Sequence, residues 1–464
     1  MLTIQHSACR RLGPRIHRWW PAVARQDSRF RDRAVATVRF RTTERPVSRT
    51  MPPSCAAFRS QFHVSDSPPS VSPVAPPPTP AATSPAGAGA GLHREGKIRP
   101  WPWWAPRFWH GMPLGVWLSL AGEHRWRASP SRWGLVATIT AASAFNSLAA
   151  QFSDAVYRRG LRSPPKTPPP LFIIGHWRSG TTLLHELLMH DERFCCPNYY
   201  QCFAPSHFLL TERVLTPAVS WIMPTKRPMD DMTVSLDKPQ EDEFALLNLG
   251  APSPYRRMAF PVTSSRHPEA LDLATLPPAE LDRWRRTLRR FLGMLAVADP
   301  RRPVLKSPPH TARVGVLAEM FPEAKFLHIV RDPFSVFGST LRLWRSLDGG
   351  QGLQVDRGEG LEEYVFEAFE QMYAAFERDR ATLAPGRLHD VRYEELVADP
   401  VGQIGQAYER LELGGFEGVR GPLEKKAETM KTYRASTYRH DPRIVAEISR
   451  RWRPFLDRYG YAAP

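Results

Sequence analysis

The chain has 464 residues, a formal net charge of +17, 42% hydrophobic residues and five cysteines. Such a length and apolar share exclude a fibrous or wholly disordered chain and leave room for a large core. Cys9, Cys55, Cys195, Cys196 and Cys202 form no CxxC pair, which excludes a disulfide framework or cysteine metal site and points to a reducing compartment.

Residues 1–62 are rich in arginine, poor in acids and without an apolar signal core. Their start reads either as a transit-like segment or as sequence upstream of a start at Met51. Residues 63–90 are rich in Pro, Ser, Ala and Gly and read as linker, so 1–97 is expected to be a disordered arm. Much of the positive charge lies there. No zinc finger, RNP motif or basic–aromatic stripe accompanies it, so no nucleic-acid partner is expected.

Residues 98–160 read as a Trp-rich helical segment. Trp101, Trp103, Trp104 and Trp109 precede an uncharged stretch, 134–152, that approaches membrane-spanning length. Arginines stand on both sides, so charge sets no orientation. Three readings stay open: a helix packed on the following domain, an interfacial helix on an anionic membrane, and a span.

The remaining domain is placed at 165–464. Leu171 to Ile174 form a short apolar run, as in a strand buried on both faces. Gly175 and Gly180 bracket a loop, and Thr181 and Thr182 open an apolar helix whose N–H groups and dipole would face an anion. The spacing nearly matches Walker A, yet Thr181 stands where the lysine belongs and the basic group is Arg178, inside the loop. That argues against an ordinary ATP or GTP hydrolase and for another phosphate-bearing ligand.

The layout then recurs. Val304 and Leu305 lead to Lys306, and a helical stretch is expected from Thr311 to Met320. Lys325 to Val330 reads as a buried strand ending at Arg331, with Asp332 suited to cap a helix and Pro333 to begin it. Ser339 follows on that helix. Leu361 to Thr382 is an amphipathic helix, and Leu388 to Tyr393 a further strand leading into a helix. Ligands of open α/β sheets sit outside the carboxyl ends of the strands. Three strand ends delivering Arg178, Lys306 and Arg331 imply an anionic ligand with more than one charged group.

These residues resemble a known family. Arg178-Ser-Gly-Thr-Thr182 resembles the loop that grips the 5′-phosphosulfate of 3′-phosphoadenylyl sulfate (PAPS) in sulfotransferases. Val330-Arg-Asp-Pro with Ser339, eight residues after Arg331, resembles the part that grips the donor's 3′-phosphate. Lys306-Ser-Pro-Pro-His and Val391 to Pro400 are similar to segments of the broad bacterial branch related to tyrosylprotein sulfotransferases. The likeness covers about residues 168–460 and implies a three-layer α/β domain with a mostly parallel sheet, like that of P-loop nucleoside-triphosphate hydrolases.

The resemblance implies transfer of a sulfuryl group from PAPS to a hydroxyl or amine by in-line displacement, without a metal. Backbone N–H groups from Ser179 through Gly180 to Thr182, with both threonine hydroxyls, would hold the 5′-phosphate. Arg178 and Lys306 would stabilise charge on the sulfuryl group and leaving oxygen. Arg331 and Ser339 would hold the 3′-phosphate, and Tyr393 either borders the adenine or packs in the core. The base is placed at Glu241 or Glu243, in a helix expected to start at Pro239, with His207 and His185 behind them. The basic, aromatic segment 431–440 suits a lid or a solvated tail.

A nucleotide-dependent kinase and a non-catalytic nucleotide- or membrane-binding relative stand as the rivals. The expected partners are the anionic donor, a hydroxyl acceptor of unassigned class and an anionic membrane. The expected place is cytoplasmic, peripheral at the inner membrane.

Overall fold

The computed structural model describes residues 101–464 apart from 103, 223–234, 266 and 431–440. The expected arm at 1–97, Trp103 and the expected lid at 431–440 therefore lie outside the described residues. The described residues form one compact unit.

The chain enters through α1 (Leu114–Glu123), α2 (Trp133–Val156) and the short α3 (Arg158–Arg162). β1 (Leu171–Ile174) then runs into α4 (Thr181–Leu188), followed by β2 (Phe194–Cys195), α5 (Tyr199–Phe203) and α6 (Phe208–Ile222). α7 (Asp242–Asn248) and α8 (Pro278–Ala298) precede β3 (Arg302–Lys306), α9 (Val314–Met320) and β4 (Lys325–Val330). α10 (Pro333–Gln351), α11 (Leu361–Arg380), β5 (Leu388–Arg392) and α12 (Tyr393–Ala398) complete the part that carries the site.

The sheet is five-stranded in the order β2-β3-β1-β4-β5, and every pairing is parallel. β1 is central because it can hide on both faces. Phe172 and Ile174 enter one core cluster, and Leu171 and Ile173 enter the other. This alternation is the two-residue period of a strand. Register sets Ile173 of β1 beside Lys306 of β3 and Leu327 of β4, so the strands end together along one edge.

β1, β4 and the start of α11 fall where the sequence puts them. Other expectations shift. Thr311 lies in a tight turn of helix, Pro308–Arg313, and α9 proper starts at Val314. Pro239 is not the first residue of α7. It is held in an isolated antiparallel bridge to Asn198, and α7 starts at Asp242 with Glu241 as its N-cap.

The Trp-rich segment shares the main core. Trp109 and Trp117 are fully buried there, and the Trp109 indole N–H donates to the Gln351 carbonyl at 2.7 Å. Phe108 stacks on Phe244 of α7 at 4.1 Å between ring centroids. Trp104 and Trp133 are instead exposed, so the tryptophans do not form a single belt.

Candidate active site

Four chain turns meet at the carboxyl edge of the sheet. The first is the loop after β1. Gly175 has φ +146° and Gly180 φ +105°, a region that disfavours L side chains, and a Cβ on Gly180 would lie 2.4 Å from Cδ2 of Tyr393. Arg178 also has positive φ, +69°. A non-glycine residue held this way costs on the order of 1–3 kcal/mol, and such strain clusters at functional sites. The loop is anchored by the Gly175 N–H to the Thr311 hydroxyl at 2.7 Å.

Ser179 departs from the expected cradle. Its N–H and hydroxyl both donate to the His176 carbonyl, at 3.1 and 2.7 Å, and its side chain is buried. Those donors are used inside the turn. Gly180, Thr181 and Thr182 remain at the start of α4, where a helix has N–H groups without intrahelical partners. Thr181 is buried and Thr182 half-buried.

The second turn follows β4. Asp332 accepts the Phe334 and Ser335 N–H groups at 3.1 and 3.0 Å, capping α10. This cap fixes α10 so that Ser339 accepts from Arg178 Nε at 2.8 Å. Arg331 donates from Nη1 to the Arg178 carbonyl at 3.1 Å. Arg178 thus touches both Ser339 and Arg331, 161 and 153 positions further along the chain.

Tyr393 starts α12 after β5. Its buried ring lies under Gly180 and 4.2 Å from the Arg331 guanidinium carbon. A ring so covered is no open platform for adenine. It props the loop and steers Arg331.

The third strand end is Lys306. Its ammonium donates to Glu241 Oε1 at 2.8 Å, with the lysine side chain 3% and the glutamate 16% exposed. The other glutamate oxygen accepts the Tyr255 hydroxyl at 2.7 Å, and that hydroxyl accepts the Trp177 indole N–H, also at 2.7 Å. A continuous link therefore runs from the loop through Trp177 and Tyr255 to Glu241 and Lys306. Burial first, then the neighbouring Glu241, pushes the Tyr255 phenol well above its ordinary value, so it stays a donor.

The structure separates the two glutamates expected to share the base role. Glu243 is fully buried and grips Arg313 through two bonds, at 2.5 and 3.0 Å, with no exposed surface on either side chain. It cannot meet an acceptor and is corrected to a core partner. Asp242 is likewise enclosed, accepting from Ser307 at 2.7 Å and paired with His310 at 2.6 Å. Burial opposes its ionisation, but His310 and then Ser307 hold its carboxyl below the ordinary range.

Neither histidine reaches a substrate. His207 is buried between Thr211 and Asn146 at 2.8 and 3.0 Å, and burial lowers its pKa to about 4. His185 is enclosed too, lowered to about 3 by burial and then by the charge of Lys306. Glu241 is the remaining acid on this wall. Among the described residues no group of three or more His, Cys, Asp or Glu side chains gathers as a metal site.

The site is thus a basic sheet edge with a partly open carboxylate, Glu241, beside Lys306, and known proteins share its frame. The sulfotransferase family model matches residues 169–417. The chain belongs to the sulfotransferase family. Omega-hydroxy-beta-dihydromenaquinone-9 sulfotransferase Stf3 of Mycobacterium bovis is 38% identical over 370 residues, covering 80% of this chain and 95% of that protein. The Mycobacterium tuberculosis protein of the same name matches to the same extent. Among solved structures, sulfotransferase STF9 of Mycobacterium avium aligns with a TM-score of 0.50 at 19% identity, over 71% of this chain and 86% of that one, which bears on fold alone. The chain is therefore a sulfuryl-transferring enzyme, and its sheet and helices have the fold of that family.

Sequence reasoning did not single out Trp177 and Tyr255. An indole N–H inside the loop was the available signal. Its partner stands 78 residues away, beyond any local pattern.

Proposed function

We propose that this sulfotransferase moves the sulfuryl group of PAPS to a hydroxyl on a long apolar chain, at or near a membrane surface. The observation that carries the donor assignment is the contact set of Arg178, Ser339 and Arg331 at the edge that also presents Lys306. In this reading Arg331 and Ser339 grip the 3′-phosphate, and the N–H groups of Gly180, Thr181 and Thr182 take the 5′-phosphate. Arg178, bonded to Ser339, links the two ends of the donor cradle. Lys306 meets the oxygen that leaves. Tyr393 positions Arg331 and the loop.

Glu241 is the proton acceptor. The acceptor oxygen attacks sulfur, its O–S bond forms as the sulfur–phosphate oxygen bond breaks, and the bisphosphate departs with the electron pair. The acceptor's proton goes to Glu241. Lys306, already on that carboxylate, stabilises the charge that develops on the leaving oxygen. The sulfuryl group carries less charge than a terminal phosphoryl group, so these fixed cations suffice and turnover should survive a chelator.

The acceptor class rests on the mycobacterial relative, whose name specifies an omega-hydroxylated menaquinone. A hydroxylated isoprenoid quinone is accordingly the first acceptor to test. Placement in the cytoplasm, peripheral at the inner membrane, belongs to the same reading. The three free cysteines among the described residues fit a reducing compartment.

Calorimetry tests the donor. Adenosine 3′,5′-bisphosphate should bind about tenfold or more tighter than 5′-AMP, because a charged fork contributes roughly 1.5–3 kcal/mol. Arg331→Ala should erase most of that preference. Equal affinity of the unchanged enzyme for both nucleotides overturns the assignment.

A further inference from the structure

The helix α2 carries two stripes of different fate. Val136, Ile139, Ser143, Asn146, Ala149 and Ser153 are buried. Asn146 fixes that side to the protein, donating to the His110 and Met112 carbonyls at 2.7 and 3.1 Å and meeting His207 at 3.0 Å. A helix pinned along its length to a soluble core cannot also cross a bilayer, although its length and composition would allow it.

The other stripe is apolar and open. Phe145, Leu148, Phe152 and Val156 are 49%, 59%, 66% and 65% exposed. At about 100° per residue they fall within an arc of roughly 80°, one continuous face. Phe145 turns one edge to the His207 ring at 5.8 Å between centroids, but the core does not cover the outer face of these four side chains.

Charge says what covers them. Positions 134–153 carry no charged residue, and the helix then runs into Arg158, Arg159, Arg162 and Lys166, all exposed. Arg290 of α8 joins that end through its pair with Asp154 at 2.8 Å, and Arg289 beside it is exposed. An apolar stripe ending in a cluster of cations is complementary to acyl chains beneath anionic headgroups.

We infer that the Phe145–Val156 face of α2 lies in the surface of an anionic bilayer, anchoring the enzyme on one leaflet without spanning it. The inference deepens the proposed lipid acceptor and rests on that reading for its purpose. The same segment touches the active site: Phe108, ahead of α1, stacks on Phe244, which stacks on Tyr255 at 4.9 Å, the residue that holds Glu241. The segment that carries α2 therefore also packs against the part of the molecule that supports the base.

The test uses the full chain and flotation with vesicles of phosphatidylcholine, with or without phosphatidylglycerol. Binding should need the anionic lipid and should weaken with salt, since such attraction is screened over about 8–10 Å at physiological strength. The double variant L148Q/F152Q should lose about tenfold or more of its partitioning, given the transfer free energy of two large apolar groups. R158E/R159E should lose the dependence on anionic lipid. Both substitute exposed positions, and unchanged thermal midpoints show that they fold. Sulfation of a short, water-soluble alcohol should be unaffected, whereas sulfation of a vesicle-embedded acceptor should fall with partitioning. A chain that ignores anionic vesicles overturns the inference, as does an L148Q/F152Q protein that floats like the original. A dimer dissolved by L148Q/F152Q, without vesicle binding, assigns the face to a second copy and overturns it equally. Activity on the soluble alcohol separates these outcomes from failure of the sulfotransferase assignment.

Discussion

Glu241 and Glu243 stand two positions apart, yet they belong to opposite walls of the molecule. Glu241 stands at the N-cap position of α7 at the sheet edge, partly open, and its two oxygens meet Lys306 and Tyr255 rather than the helix N–H groups. Glu243, one turn direction further, points into the core and closes on Arg313 with no surface left. The difference follows from geometry alone, since successive residues at a helix start diverge by about 100°. The same residue type thus gives a partly open carboxylate on one wall and a fully enclosed pair on the other. Partners and access decide, not residue type.

The sharpest way to break this comparison is to neutralise each acid in turn. Glu241→Gln keeps one oxygen, enough for Lys306 or Tyr255 but not both, and cannot take the acceptor's proton. Turnover should fall about 10²–10⁴-fold, the range for loss of a general base, in protein that still binds the donor. The thermal midpoint should also fall, because the buried Lys306 loses its charged partner. Full turnover in this variant would leave Glu241 a structural partner of Lys306 and Tyr255.

Glu243→Gln should do the reverse. It strands the Arg313 charge in the core, a loss of about 3–5 kcal/mol of stability, while protein that remains folded should turn over normally. The double change E243Q/R313M should recover much of the loss, because an apolar side chain removes the stranded charge. A single variant as stable as the original would show that the pair does not hold the core.

How much of this was legible beforehand depends on what each feature rests on. β1 and β4 could be read because parallel inner strands are mostly apolar, β1 throughout and β4 apart from Lys325 and the buried His328, and the basic groups at their ends stand out against that background. β2 could not. It is two residues long, Phe194–Cys195, and pairs on one side only, so no run of apolar residues announces it. The contact of Arg178, Arg331 and Ser339 was foreshadowed by the resemblance of their motifs. Ser179 was placed in the right neighbourhood, but its donors are used inside the turn, and of the two readings open for Tyr393 the structure has the packed ring. A turn's internal hydrogen bonds and a ring's covered face are set by packing. The start of α7 was misplaced because Pro239 satisfies the rule for a first helical residue while its bridge to Asn198 holds it extended.

The last distinction between the walls is in their response to acid. His176 in the loop after β1, His185 on α4 and His207 on the far side of the core are all enclosed, and burial, the largest cause for each, lowers them to about 3, 3 and 4. Their ordinary value is 6.5, so the unfolded chain binds protons that the folded one refuses between pH 6.5 and about 4. Their contribution is complete above pH 6.5 and is lost as the pH falls, by about 2 kcal/mol per histidine at pH 5. Asp242, held low by its partners against burial, gives way only below the ordinary carboxyl range, so it does not confuse this window. Asp348, which burial raises to about 6, gains a proton in the folded state within the same window and offsets part of this loss. Three histidines outweigh one carboxyl, so thermal midpoints at pH 7.5 and 5 should still differ clearly. His207→Gln supplies an amide toward Thr211 and Asn146 without a titrating ring, and should reduce the difference by about one histidine's share. Equal midpoints at the two pH values, or an unaltered difference in the variant, would mean that these rings take up protons without loss of structure. The core wall would then be as permissive as the cleft.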